Sequence, residues 1–241
     1  MNKLTICVPI YNEENRIKNV AEALLNIQLP ISHEVILVDD GSTDQTLNFL
    51  NEISDSLSAK SIQIISHRTN MGKGAAIRSG ISLASGDYFL IFDADAEYLV
   101  NDIGKLIEQV LSGRAKIIMG VRMRGYYSNF PSITHAIGNR VMTTSVNLLF
   151  GSWLSDVHSC LKLVPTALLQ EFELKDSGFG LDIEIVTKIL RGKHRIYEVP
   201  ISYLGRSKQE GKKIRFIDVF IFYRILLLER FRHVPRKKQS A

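Results

Sequence analysis

The first half of the chain alternates between short apolar runs and longer amphipathic stretches. Residues 4–10 (LTICVPI), 34–40 (EVILVDD), 62–66 (IQIIS), 88–92 (YFLIF) and 115–122 (AKIIMGVR) have strand length and are largely apolar on both alternating sets of positions. Strands of that kind are covered on both faces. Helix-period segments lie between them. The first carries Val20, Leu24 and Ile27 on one face. The second opens at GSTD, with Ser42 or Thr43 as its N-cap. The third follows the glycine-bearing loop NMGKG, and the fourth spans residues 101–112. Strand–helix alternation with buried strands predicts an α/β fold, a mostly parallel central sheet with helices on both faces.

The second half is less regular. Residues 132–150 predict a long amphipathic helix with Ile133, Ile137 and Val141 on one stripe. Residues 155–164 return to the sheet, 180–192 are helical and 195–204 form a strand. A polar loop over 205–213 leads into residues 216–231 (FIDVFIFYRILLLERF), an apolar helix with a basic tail. This divides the chain into a main domain, 1–213, and a C-terminal amphipathic helix with its tail, 214–241. Asp218, Arg224 and Glu229 interrupt the last helix, and no apolar run approaches the roughly 20 residues that span a bilayer. The helix packs on the domain or on a second subunit, as in a homodimer, or it lies in a membrane interface with the tail on anionic headgroups.

Ligands of parallel sheets bind beyond the carboxyl ends of the strands. Every unusual polar cluster falls at such an end: YNEE, DDGS, NMGKG, DADAE and GVR. In DADAE, Asp93, Asp95 and Glu97 occupy alternate positions. If the chain stays extended there, all three face one point and hold a hard cation, Mg²⁺ or Mn²⁺, with phosphate oxygens completing the shell. Asp39 and Asp40 can accept hydrogen bonds from a base or ribose, although DDGS also reads as a turn and cap. Lys73 and the amides of NMGKG can meet an anion at a helix N-terminus, but the spacing is not that of a P-loop. A dinucleotide fold would place GxGxxG where YNEE stands, which argues against NAD.

The net charge of +5 changes the picture because basic residues crowd the C-terminal region. That bias suits a phosphate-bearing ligand or an anionic membrane surface. Nucleic acid is not expected, since there is no base-reading basic helix and no aromatic stacking pattern. Cys7 and Cys160 sit in apolar surroundings and read as reduced core residues of a cytoplasmic protein. The N-terminus enters a strand directly, without a signal peptide.

Together, VPIYNEE, VDDGSTDQT, NMGKGAAIRSG and DADAEY resemble the family 2 glycosyltransferases of GT-A fold. SDVHSCLKL, SGFGLDIEI and EVPISYLGRSKQEGKKI resemble the branch of dolichyl- and polyprenyl-phosphate mannose and glucose synthases. The resemblance covers roughly residues 3–220. It implies a Rossmann-like sheet and an inverting, metal-dependent transfer of a hexose from a UDP- or GDP-sugar to a polyprenyl phosphate, at the cytosolic face of a membrane. Pro9, Tyr11, Glu13, Val38 and Asp40, with Asp39 beside them, would line the nucleoside pocket. Asp93 and Asp95, around Ala94, would hold the metal on the donor diphosphate. Arg122 matches a phosphate-contacting position, and Arg140, Arg206 and Lys212 match basic positions near the acceptor or sugar. His158 and Leu161 depart from the usual pattern.

A lipid monophosphate is already largely anionic at neutral pH and needs cations for placement more than a base. Asp156 is the candidate base if one is needed, and otherwise orients basic side chains. The rivals are a glycosyltransferase acting on hydroxyl acceptors and a sugar-nucleotide binding protein without turnover.

Overall fold

The computed structural model describes residues 1–56, 62–122, 128–129, 133–205 and 216–232. In chain order the elements are β1 (Lys3–Ile10), α1 (Ile17–Asn26), β2 (Ser32–Asp39), α2 (Thr46–Ser56), β3 (Ile62–Ser66), α3 (Lys73–Leu83), β4 (Tyr88–Ile91), α4 (Asp102–Leu111) and β5 (Ile118–Val121). Then come β6 (Ser128–Asn129), α5 (Ile133–Phe150), β7 (Lys162–Pro165), α6 (Thr166–Glu171), α7 (Gly180–Arg191), β8 (Tyr197–Pro200), β9 (Tyr203–Leu204) and α8 (Phe216–Phe231). The expected boundary after residue 213 lies outside the described residues.

Seven strands form one sheet in the order β3-β2-β1-β4-β7-β5-β8. β1 pairs in parallel with β2 and β4, β2 with β3, and β5 with β8. β7 runs antiparallel to both its neighbours. The other six strands therefore end at one edge of the sheet, and β7 begins there, with Lys162 level with Ile91 and Met119. The chain order reverses between β1 and β4, so their carboxyl ends flank the crevice where such sheets bind ligands.

Alternation along β1 explains the layers. Leu4, Ile6, Val8 and Ile10 pack with residues of α1, α2 and α4 on one face. Cys7 points to the other face, among residues of α3 and α7. Gly80 lets α3 lie close to β1, because a Cβ there would sit 2.3 Å from Cys7 Sγ. A third cluster joins Val146 of α5, Val186 of α7 and Leu226 of α8 over Met119. Both cysteines are buried and free, as expected.

The last helix occupies its expected residues. It is locked to α7 by a buried carboxylate: Glu229 meets Arg191 at 2.6 Å and Lys188 at 3.4 Å. Of the α5 stripe, Ile137 and Val141 face outward, 58% and 53% exposed, while Asn139 and Thr143 are buried. A groove of about 1030 Å³ lies along α8, lined by Phe220, Tyr223, Leu228 and Phe231 together with Lys175 and Asp176, and among the described residues α5 supplies none of its lining.

Candidate active site

β4 delivers the acidic cluster to the sheet edge, and the chain then turns. Residues 94–95 form a turn and Ala96 takes a left-handed φ of 59°. The expected convergence of three carboxylates fails for that reason. Alternation holds only while the backbone is extended. The Glu97 amide donates to Asp95 Oδ1 at 3.1 Å, while the Glu97 carboxylate goes inside and accepts from Tyr203 Oη at 2.5 Å. Glu97 is therefore part of the packing beneath the site rather than a third metal ligand. Among the described residues no group of three or more His, Cys, Asp or Glu side chains is placed to hold a metal.

Asp93 and Asp95 remain half-buried at the edge, two hard oxygen donors that fit a divalent cation whose other positions a diphosphate fills. Asp93 is demonstrably placed to hold positive charge. Lys73 Nζ lies 2.8 Å from its Oδ1, and also 3.5 Å from Asp182 Oδ2 and 2.9 Å from Cys160 Sγ. Burial works against the Lys73 ammonium, but Asp182 and Asp93 outweigh it and hold the pKa well above the ordinary lysine value. Asp182 in turn accepts from Lys162 Nζ at 2.7 Å, and Lys162 also donates to the Ser159 carbonyl. Burial opposes ionisation of Asp182, yet Lys162 and Lys73 hold its carboxyl far below the usual range.

The NMGKG loop packs against residues 175–178. The Ser177 carbonyl accepts from the amides of Gly74 at 2.8 Å and Ala75 at 3.2 Å. Those first-turn amides are thus occupied by the chain itself. Gly72, at φ 97°, passes so close to the 175–178 strap that a Cβ would sit 2.2 Å from the Ser177 oxygen. Arg78 donates to the carbonyls of Lys175 and Asp176, and Glu184 accepts from their amides, so the strap is fixed from both sides.

Asp40 is committed to the same loop. Its carboxylate accepts from the Met71 and Gly72 amides and meets His67 Nδ1 at 2.7 Å. Asp39 accepts from the Ser42 amide and Ser66 Oγ. The turn reading of DDGS therefore describes Asp39, whereas Asp40 is held by the loop ahead of α3. Val38 is fully buried and cannot offer its side chain to a ligand. Of the other nucleoside candidates, Tyr11 is exposed, Pro9 and Glu13 are half-buried, and Ala94 is buried.

At the end of β5, Arg122 makes a two-pronged contact with Asp156, Nε to Oδ2 at 2.7 Å and Nη2 to Oδ1 at 2.8 Å. Asn139 Nδ2 and the His158 amide add to Asp156 Oδ1. Asp156 is fully buried. Burial disfavours its charge, but Arg122 prevails and its pKa falls to about 2. The guanidinium stacks 5.1 Å from the Tyr203 ring, and Tyr203 rests on Tyr98 with centroids 5.6 Å apart. Glu97, Tyr203, Arg122 and Asp156 thus form one column.

Tyr203, Tyr98, Asn139, Lys162 and Asp182 are the residues sequence reading passed over or underweighted. Asn139 adjoins Arg140, the residue picked out on α5. One step along a helix turns about 100°, so Asn139 reaches Asp156 while Arg140 is exposed. Arg206 and Lys212 lie outside the described residues.

The family model described as glycosyl transferase family 2 matches residues 5–172. The chain belongs to glycosyl transferase family 2. This glycosyltransferase is 28% identical, over 93% of its length and 95% of the relative's, to a UDP-N-acetylglucosamine–dolichyl-phosphate N-acetylglucosaminyltransferase of Methanococcus voltae. It is also 28% identical to the dolichol-phosphate mannosyltransferase of Pyrococcus furiosus, covering 88% of this chain and 60% of that one. Among solved structures, its fold is similar to glucosyl-3-phosphoglycerate synthase of Mycobacterium tuberculosis in complex with Mn²⁺ and UDP, with TM-score 0.68, 18% identity and coverage of 95% and 80%. The GT-A fold and the enzyme class expected from the motifs are thereby established.

Proposed function

We propose that this glycosyltransferase transfers a hexose from a nucleoside-diphosphate sugar to a polyprenyl phosphate, with inversion at the anomeric carbon. The observation that carries the reading is the state of the two buried carboxylates near the sheet edge. Asp156 and Asp182 are each ion-paired in the interior and held far below the usual carboxylate range. Neither is a useful base for a sugar hydroxyl, since general-base catalysis needs a pKa near the working pH. An acceptor that arrives ionised, such as a lipid phosphate, needs no base. Its oxygen attacks the anomeric carbon as the bond to the β-phosphate oxygen breaks, and the nucleoside diphosphate leaves with the electron pair.

Asp93 and Asp95 would hold Mg²⁺ or Mn²⁺. When bound, the cation neutralises charge on the departing diphosphate. Asp156 fixes the plane of the Arg122 guanidinium, which suits bidentate contact with phosphate oxygens. The relatives named for dolichyl and dolichol phosphate support this acceptor class.

The same reading gives α8 a membrane surface. Phe220, Leu227, Leu228 and Phe231 are exposed, with Arg224, Arg230 and Arg232 exposed among them. Apolar and basic side chains mixed on one helix suit the interface of an anionic bilayer. No helix among the described residues is long and apolar enough to cross a membrane.

The test is a panel of sugar nucleotides with undecaprenyl phosphate or with free sugars, with and without chelator. Nucleoside diphosphate is expected only with the lipid phosphate, and chelator stops it. Equal release with hydroxyl acceptors sinks the acceptor assignment. No release with any acceptor, alongside tight donor binding, favours a binding protein.

A further inference from the structure

Asp93 already carries one cation, the Lys73 ammonium, at the place where the divalent cation would bind. Lys73 Nζ lies 2.8 Å from Asp93 Oδ1, and only 13% of the Lys73 side chain and 17% of the Asp93 side chain are exposed. A divalent cation on Asp93 would stand beside that ammonium in a medium that screens poorly, where like charges a few ångströms apart repel strongly. The ammonium has a second seat. Asp182 Oδ2 is 3.5 Å from Nζ, and Asp182 is 8% exposed and built into α7. Asp182 already carries Lys162 on its other oxygen at 2.7 Å. A carboxylate serving one lysine on each oxygen is suited to take the full charge of the second when Asp93 gives it up.

We propose that Lys73 is the exchange partner of the metal. The ammonium holds Asp93 until a divalent cation binds there, then moves fully onto Asp182. Asp182 is thus a positioning residue, acting on the metal site through Lys73 and touching neither substrate nor metal. The inference rests on the reading of Asp93 and Asp95 as the metal-holding pair. Lys73 has little freedom to go elsewhere: it sits at the first position of α3, with Cys160 Sγ at 2.9 Å and the Phe179 ring 5.9 Å from Nζ. The exchange makes metal affinity low without donor and couples cation binding to a rearrangement at the base of α3.

The experiment uses the full chain and Mn²⁺ alone, with free Mn²⁺ read by electron paramagnetic resonance and folding checked by circular dichroism. Lys73→Met removes the competitor and tightens Mn²⁺ by about tenfold, the scale of coupling between contacting charges. Lys73→Arg restores wild-type affinity. Asp182→Asn confines the ammonium to Asp93 and weakens Mn²⁺ several-fold, and the double variant Lys73→Met/Asp182→Asn binds like Lys73→Met. Should Asp182→Asn unfold because Lys162 loses its partner, the Met and Arg variants at position 73 decide alone.

Binding in the wild type that Asp95→Ala abolishes and Lys73→Met leaves unchanged or weakens overturns the exchange while the metal pair stands. No Mn²⁺ binding in either wild type or Lys73→Met overturns both.

Discussion

At the scale of single residues the site is governed by charges that already have partners. Asp156 has no exposure and two prongs of Arg122 on it. Asp156→Asn leaves that guanidinium in the interior without its counter-ion. The expected cost is about 3 kcal/mol, as for breaking a buried pair from one side, measured by urea unfolding. The accompanying loss of aim should lower kcat by about 100-fold.

Acid stability follows from the same residues. Asp156 and Glu34 have folded pKa values near 2, below the ordinary carboxylate value. Their stabilisation is present above about pH 4 and is lost as pH falls toward about 2. His158 adds a higher window. Burial lowers its pKa to about 4, its Nε2 is buried with no hydrogen-bond partner among the described residues, and its ring lies 5.1 Å from Phe222. The unfolded chain therefore takes up a proton first as pH falls, and stability declines from about pH 6.5 to about 4. His158→Phe should flatten that part of a thermal-midpoint profile against pH. The wild-type slope persisting in the variant would assign it to another group.

At the scale of elements, contacts between segments far apart in sequence shape the edge. The 175–178 strap caps α3 with the Ser177 carbonyl, and Gly72 is the residue that lets it approach. Gly72→Ala combines a strained φ with a collision. It should cost about 2 kcal/mol or more, read as a lower unfolding midpoint. Helix α8 depends on Glu229 between Lys188 and Arg191. Glu229→Ala should cost about 3 kcal/mol, and hydrogen exchange should quicken along α8 before it does in the sheet.

At the scale of the whole molecule, two helices leave apolar side chains outward, Ile137 and Val141 on α5 and Leu228 and Phe231 on α8. The double change Leu228→Glu and Phe231→Glu removes apolar area and adds repulsion to anionic headgroups. Binding to vesicles rich in phosphatidylglycerol should fall by at least about tenfold, with the thermal midpoint unchanged because both side chains are exposed. Equal sedimentation of the two proteins with vesicles would remove the membrane from the proposal.

The amino-acid sequence by itself determined the parallel part of the sheet, since runs such as VILV and YFLI must be covered on both faces. It also determined which clusters gather at one edge, because parallel strands deliver their carboxyl ends together. The direction of β7 was left to the tertiary structure, as hydrophobic pattern carries no information about strand polarity. So was the fate of each charge at the edge. The left-handed turn at Ala96 sends Glu97 inside, one helical step favours Asn139 over Arg140, and the strap takes the α3 amides. Asp182 meets Lys73 across 109 residues of chain. Local pattern places a side chain on an element. Its partner is chosen by whatever the fold brings opposite, and for a buried charge the partner decides the chemistry.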